Sequence, residues 1–219
     1  MEVRENNFTY LFIAMIVLVI GLPIAREVTG VDLPVLRSLV HASFLIIGAG
    51  SLRAEPATFR MGAILMVLGG LLHILHGFHE QSAALEIAAL ICVFAYSLLL
   101  AITALRHVSR GMAIDANRII GSVGIYLLIG VLWAIAYRLL YIMAPHSFPD
   151  LDTNQTELQD FIYFSFVTLT TLGYGDILPV TGVARSLAIF ETISGQLYVA
   201  ILVAGLVGAY VARQIEQKP

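Results

Sequence analysis

Backbone carbonyl oxygens are the chemistry on offer in the segment TLTTLGYGDILP, Thr168 to Pro179. Gly173 and Gly175 flank Tyr174, and glycine adopts φ > 0 about as readily as φ < 0. Alternating handedness at these positions can turn successive carbonyls toward one axis. A ring of such oxygens from several chains can replace the water around a cation. Asp176 follows directly, and Thr168, Thr170 and Thr171 precede.

Other residues with chemical potential lie in apolar surroundings. Glu191 interrupts a long apolar run, where acids are rare and usually paired or functional. It is expected to find a structural partner near the short helix before the glycines, with a role in ion flow or pH sensing as the alternative. HILHGFHE supplies His73, His76 and His79 at the end of another apolar run, and His41 sits in the run before it. His73 and His76 can share a helix face. Imidazole titrates near neutral pH and suits zinc, copper, iron and nickel. Hydrogen bonding at a helix interface, pH sensing, and metal or haem ligation are the readings open to them. Val199, Val203 and Val207 recur every four residues on one helix face, a pattern that suits an apolar constriction.

The elements around these residues are those of a membrane. Of the 219 residues, 59% are hydrophobic and 12% charged, against about 25% charged in a soluble domain. Mean hydropathy is +0.89. The net charge of -3 gives no nucleic-acid signal, and a single cysteine, Cys92, excludes an intramolecular disulfide. An all-α membrane protein is expected. The apolar runs predict six spanning helices, at about 8–25, 33–52, 57–78, 83–105, 119–144 and 183–212. The first is read as a span rather than a signal peptide. Between the last two lies FIYFSFVTLTTL, too short to cross a core about 30 Å thick. It is read as a re-entrant helix running into an extended segment.

Eight of the twelve basic residues fall on the inner side when the N-terminus is cytoplasmic, which predicts both termini inside. The charged connection RHVSRGMAIDANR, 106 to 118, separates an N-terminal four-helix unit, residues 1–112, from a C-terminal unit, residues 113–219. The helix SAALEIAALICVFAYSLLLAITALR has no arginine before Arg106, so conventional voltage sensing is not expected. Arg138 is expected to snorkel to the outer interface, and Glu86 to face that interface or another helix.

Short helix, TLGYGD, an Asp-x-x-Pro exit and an apolar last helix occur in the order found in the potassium channel superfamily. The resemblance covers about residues 119–212, and TISGQLYVAILVAGLVG resembles the inner helix of its bacterial two-helix members. It implies a homotetramer around a central pore. Thr171, Leu172, Gly173, Tyr174 and Gly175 would line a selectivity filter holding K+ ions, with no organic cofactor. Tyr163, Phe164, Val167, Thr170 and Asp176 would support it. Leu172 stands where the family has valine, and Tyr163 and Phe164 stand where it often has two tryptophans. Tyr163 could still donate a hydrogen bond to Asp176, but Phe164 has none to give Tyr174. Val167 stands where some members carry glutamate. Gly195 matches a hinge glycine, or else a site of close helix packing.

The expectation is therefore a K+-selective channel of the plasma or inner membrane, not an enzyme, embedded in lipid. An unidentified regulatory partner is left open, and nucleic acid is excluded. A less selective monovalent cation channel and a histidine-based metal or haem sensor are the alternatives.

Overall fold

The computed structural model describes residues 8–29, 56–78, 82–110, 116–151 and 156–216. Helix α1, Phe8–Ile16, continues through a π turn, Val17–Gly21, into α2, Leu22–Thr29. Four longer helices follow in the chain: α3, Pro56–Phe78; α4, Ala83–Arg110; α5, Ala116–Met143; and, last, α7, Gly182–Glu216. A short 3₁₀ turn, Pro145–Ser147, and the twelve-residue helix α6, Leu158–Leu169, lie between α5 and α7.

Among the described residues, four helices are long and apolar enough to cross a membrane: Ala57–Phe78, Ala83–Arg106, Ile119–Met143 and Gly182–Gly205. The chain is a membrane protein. The expected span at 33–52 lies outside the described residues. The first expected span corresponds to a shorter apolar helix, Thr9–Ala25.

Helix ends follow local chemistry. Pro56 opens α3, where a missing N–H costs nothing. The Glu157 amide donates to Asp160 Oδ2 at 2.7 Å, closing the first turn of α6 and putting a carboxylate at its positive end. Thr181 caps α7, its hydroxyl accepting from the Ala184 amide at 3.3 Å.

Helix α5 is the hub, packed against α1, α4, α6 and α7, while α3 packs on α4. Its two faces carry separate apolar clusters. One joins Leu11, Met15 and Leu18 with Tyr96 and Leu100 of α4 and Leu128 and Ile135 of α5. This core crosses residue 112, so N-terminal helices and α5 share buried surface. The other joins Tyr137 and Tyr141 with Phe148, Phe161, Phe164 and Ala184. Rings in this second cluster meet edge to face, Tyr137 to Phe164 at 4.9 Å and Phe148 to Phe164 at 5.3 Å between centroids. Such pairs add about 0.5–1.5 kcal/mol each beyond area burial. They seat α6 against α5.

Candidate functional site: the 170–176 segment and its supports

Helix α6 ends because the chain leaves the helical region. Thr171 has φ 61°, Gly173 φ 62° and Gly175 φ 80°, so every second residue is left-handed. The two glycines do this without cost. Thr171 is β-branched, and the left-handed region costs such a residue about 1–2 kcal/mol. The segment is tied back to the helix that precedes it. The Val167 carbonyl accepts from the amides of Leu172 at 2.9 Å and Gly173 at 3.3 Å. The Thr171 amide donates to Thr168 O at 3.0 Å, and the Thr170 hydroxyl to Phe166 O at 2.7 Å. The helix terminus and the irregular segment therefore form one unit.

Supports converge from three elements. Tyr163 donates its hydroxyl to Asp176 Oδ2 at 2.7 Å, across the bend. That hydrogen bond, foremost, pushes the Tyr163 hydroxyl up to about 12. Phe164 is buried among Tyr137 and Phe148 and offers no polar contact. Val167 is buried, contributing its carbonyl to the segment. Beyond Asp176, the exit loop is fastened to the 3₁₀ turn and the residues after it. Leu178 N donates to Asp150 Oδ2 at 3.1 Å, and Val180 N to Ser147 O at 3.0 Å.

The last helix, α7, reaches the back of this unit at two levels. Glu191 is completely buried; it accepts from Tyr137 Oη at 2.6 Å and lies 2.5 Å from Ser165 Oγ. One turn on, Gly195 presses against Leu169. Val199, Val203 and Val207 are exposed in the single chain. Tyr198 lies further round the helix, donating to Ser122 O at 2.7 Å and stacking on Tyr126.

Arg138 is held by partners within the chain. Its Nε and Nη2 both donate to Glu86 Oε1, at 2.8 and 2.6 Å, and its Nη1 to Thr156 O at 3.0 Å. It thus joins α4 to the chain entering α6.

His73 is exposed and His76 half-buried, and His41 and His79 lie outside the described residues. Among the described residues no group of three or more His, Cys, Asp or Glu could hold a metal ion.

Sequence reasoning missed Tyr137, Ser165 and Gly130, the residues around Glu191. A hydroxyl within the apolar run FIYFSFV was the available signal for Ser165.

A half-length helix lies between two helices long enough to span a membrane and ends in a segment of alternating handedness. Residues 125–212 match the family model described as "Ion channel". Two pore potassium channel c of Oryza sativa subsp. japonica is 37% identical over 67 residues, 31% of this chain and 15% of that protein. A protein named as a potassium channel protein in Rhodopseudomonas palustris is 36% identical over 53 residues, 24% of this chain and 13% of that protein. A potassium channel of Plasmodium berghei is 37% identical over 57 residues, 26% of this chain and 3% of that protein. Residues 125–212 thus carry an ion-channel domain, and part of the chain is similar to potassium channels. The chain spans 15%, 13% and 3% of these relatives' lengths. No solved structure matches the chain.

Proposed function

We propose that the chain forms a homotetrameric channel that conducts K+ passively through four copies of the TLGYGD segment. The observation that carries this reading is the alternation of left-handed backbone at Thr171, Gly173 and Gly175. Alternation of this kind points successive carbonyls to one side, and four such strands make a stack of oxygen rings for a dehydrated cation. Irregular backbone at membrane depth is tolerated where protein buries it or water lines it. One chain leaves Leu172 and Tyr174 exposed, at 55% and 67%, and leaves an apolar α7 face with Phe190, Ile193, Leu197 and Ile201 uncovered. Further copies and lipid would cover these surfaces.

In this reading α6 is the pore helix, with its negative end at the inner mouth of the filter. Val199, Val203 and Val207 would form the apolar gate, with both termini in the cytoplasm of a plasma or inner membrane. Thr171 to Gly175 would hold K+, and no organic cofactor is needed. Leu172 in the filter wall and the apolar Phe164 behind it favour a second reading, a less selective cation pore.

Flux from proteoliposomes under potassium, sodium and caesium gradients separates the two. Potassium flux well above sodium flux, blocked by barium, supports the first. Sodium passing as readily as potassium overturns it. Gly173→Ala should abolish flux, because the site has open space for a Cβ but a φ of 62°.

A further inference from the structure

Glu191 sits where three helices meet, and its hydrogen-bond partners can be counted proton by proton. Three short oxygen–oxygen contacts run in one chain. Tyr137 Oη lies 2.6 Å from Glu191 Oε2. Glu191 Oε1 lies 2.5 Å from Ser165 Oγ. Ser165 Oγ lies 2.7 Å from the Gly130 carbonyl oxygen. Each contact needs one proton. Tyrosine and serine bring one each, and the carbonyl brings none. With an ionised carboxylate one contact would set two lone pairs against each other in a buried site. The Gly130 carbonyl can only accept, so the serine proton goes there. The tyrosine proton goes to Oε2. The third proton must be on Oε1.

The surroundings agree. Glu191, Ser165 and Tyr137 are all completely buried. The groups facing Glu191 are hydroxyls, Tyr137 from α5, Ser165 from α6 and, without a hydrogen bond to it, Tyr126 from α5, and the described residues bring it no ion-pair partner. A charged carboxylate without a cation is costly in such a place.

We infer that Glu191 is held as a neutral carboxylic acid whose proton is donated to Ser165, making it the positioning residue that pins the short helix between the two spanning helices. The chain Tyr137–Glu191–Ser165–Gly130 crosses from α5 to α7 to α6 and back to α5. Its register matters. Ser165 and Leu169 are one turn apart on α6, as Glu191 and Gly195 are on α7. The acid therefore fixes the same helix pair that Gly195 and Leu169 bring into contact directly below the 170–176 segment. The positioning role rests on the channel reading above; the protonation state does not.

Infrared spectra of the full chain in lipid test the protonation. The carbonyl stretch of a neutral carboxylic acid should be present at neutral pH and vanish in Glu191→Gln. Glutamine can donate to Ser165 and accept from Tyr137, so it preserves the count. Potassium flux and thermal stability of Glu191→Gln should stay within about twofold of the parent, whereas Glu191→Ala should reduce flux roughly tenfold. No acid band lost in Glu191→Gln would overturn the protonation. Glu191→Gln as impaired as Glu191→Ala would overturn the positioning role. A channel that passes sodium would leave the infrared result unaffected, so the two proposals fail separately.

Discussion

Gly195 of the last helix and Leu169 of the short helix touch so closely that no side chain fits between them. A Cβ on Gly195 would lie 2.8 Å from the Leu169 carbonyl oxygen and 2.7 Å from its Cδ1. A backbone atom cannot swing aside as a side-chain tip can. Gly195→Ala should therefore push α7 from α6 and destabilise the protein by about 1–3 kcal/mol. A hinge glycine without such contact would show the opposite pattern: alanine would change opening while leaving stability intact or slightly improved. Thermal unfolding measured beside flux distinguishes the two, and an unchanged midpoint with altered opening would favour the hinge.

Gly130 poses the same question with a softer neighbour. A Cβ there would meet the Phe166 ring, with Cζ at 2.6 Å and Cε1 and Cε2 at 2.9 Å. Three ring atoms block the position, but all belong to a side chain. Gly130→Ala should cost about 1–3 kcal/mol, and a second change, Phe166→Leu, should recover much of it. A double-mutant cycle on thermal stability measures this coupling, and simple additivity would show that the ring relaxes without help.

These two contacts mark the limit of what the chain reveals when read linearly. The half-length helix and the handedness of Gly173 and Gly175 follow from local spacing and residue type, whereas the helix end near Thr170 and the partnership of Tyr163 with Asp176 come from the resemblance to the channel family. The left-handed Thr171 runs against local preference, because a β-branched residue avoids that region. Tertiary context overrides the preference there. Gly130 with Phe166, Glu191 with Tyr137, and Arg138 with Glu86 join residues 36 to 54 positions apart in the chain. Nothing local encodes such pairs. The sequence marks Glu191 and Arg138 as polar groups needing partners, without saying which.

Tyr163→Phe removes the hydroxyl that braces Asp176 and little else. Under steady potassium gradients the variant should lose current faster and discriminate less well against sodium, while assembling normally. The pH dependence has a definite sign. The hydrogen bond raises the tyrosine hydroxyl from its ordinary value near 10 to about 12. The protonated form is the donor, so the brace is fully present below about pH 10 and is lost as pH rises through about 12. Parent and variant should converge only at that alkaline end. Steady, selective current in Tyr163→Phe at neutral pH would show that the brace is dispensable.

Arg138 ties α4 to the chain entering α6, and its two partners predict unequal losses. Glu86→Gln leaves the arginine its bond to the Thr156 carbonyl; Arg138→Leu removes both contacts and strands the Glu86 carboxylate, whose side chain is only 24% exposed. Arg138→Leu should therefore be the more damaging change. Glu86→Gln in the Arg138→Leu background should restore stability, because no charge is then left without a partner. The coupling energy should be about 1 kcal/mol, since the pair is partly rather than fully buried. If α4 acts on the pore through this contact, Arg138→Leu should also alter flux, and the double variant should recover stability without recovering the parent's flux. Recovery of both together would assign the pair a purely structural part, and no coupling in the cycle would show that the two side chains do not depend on each other.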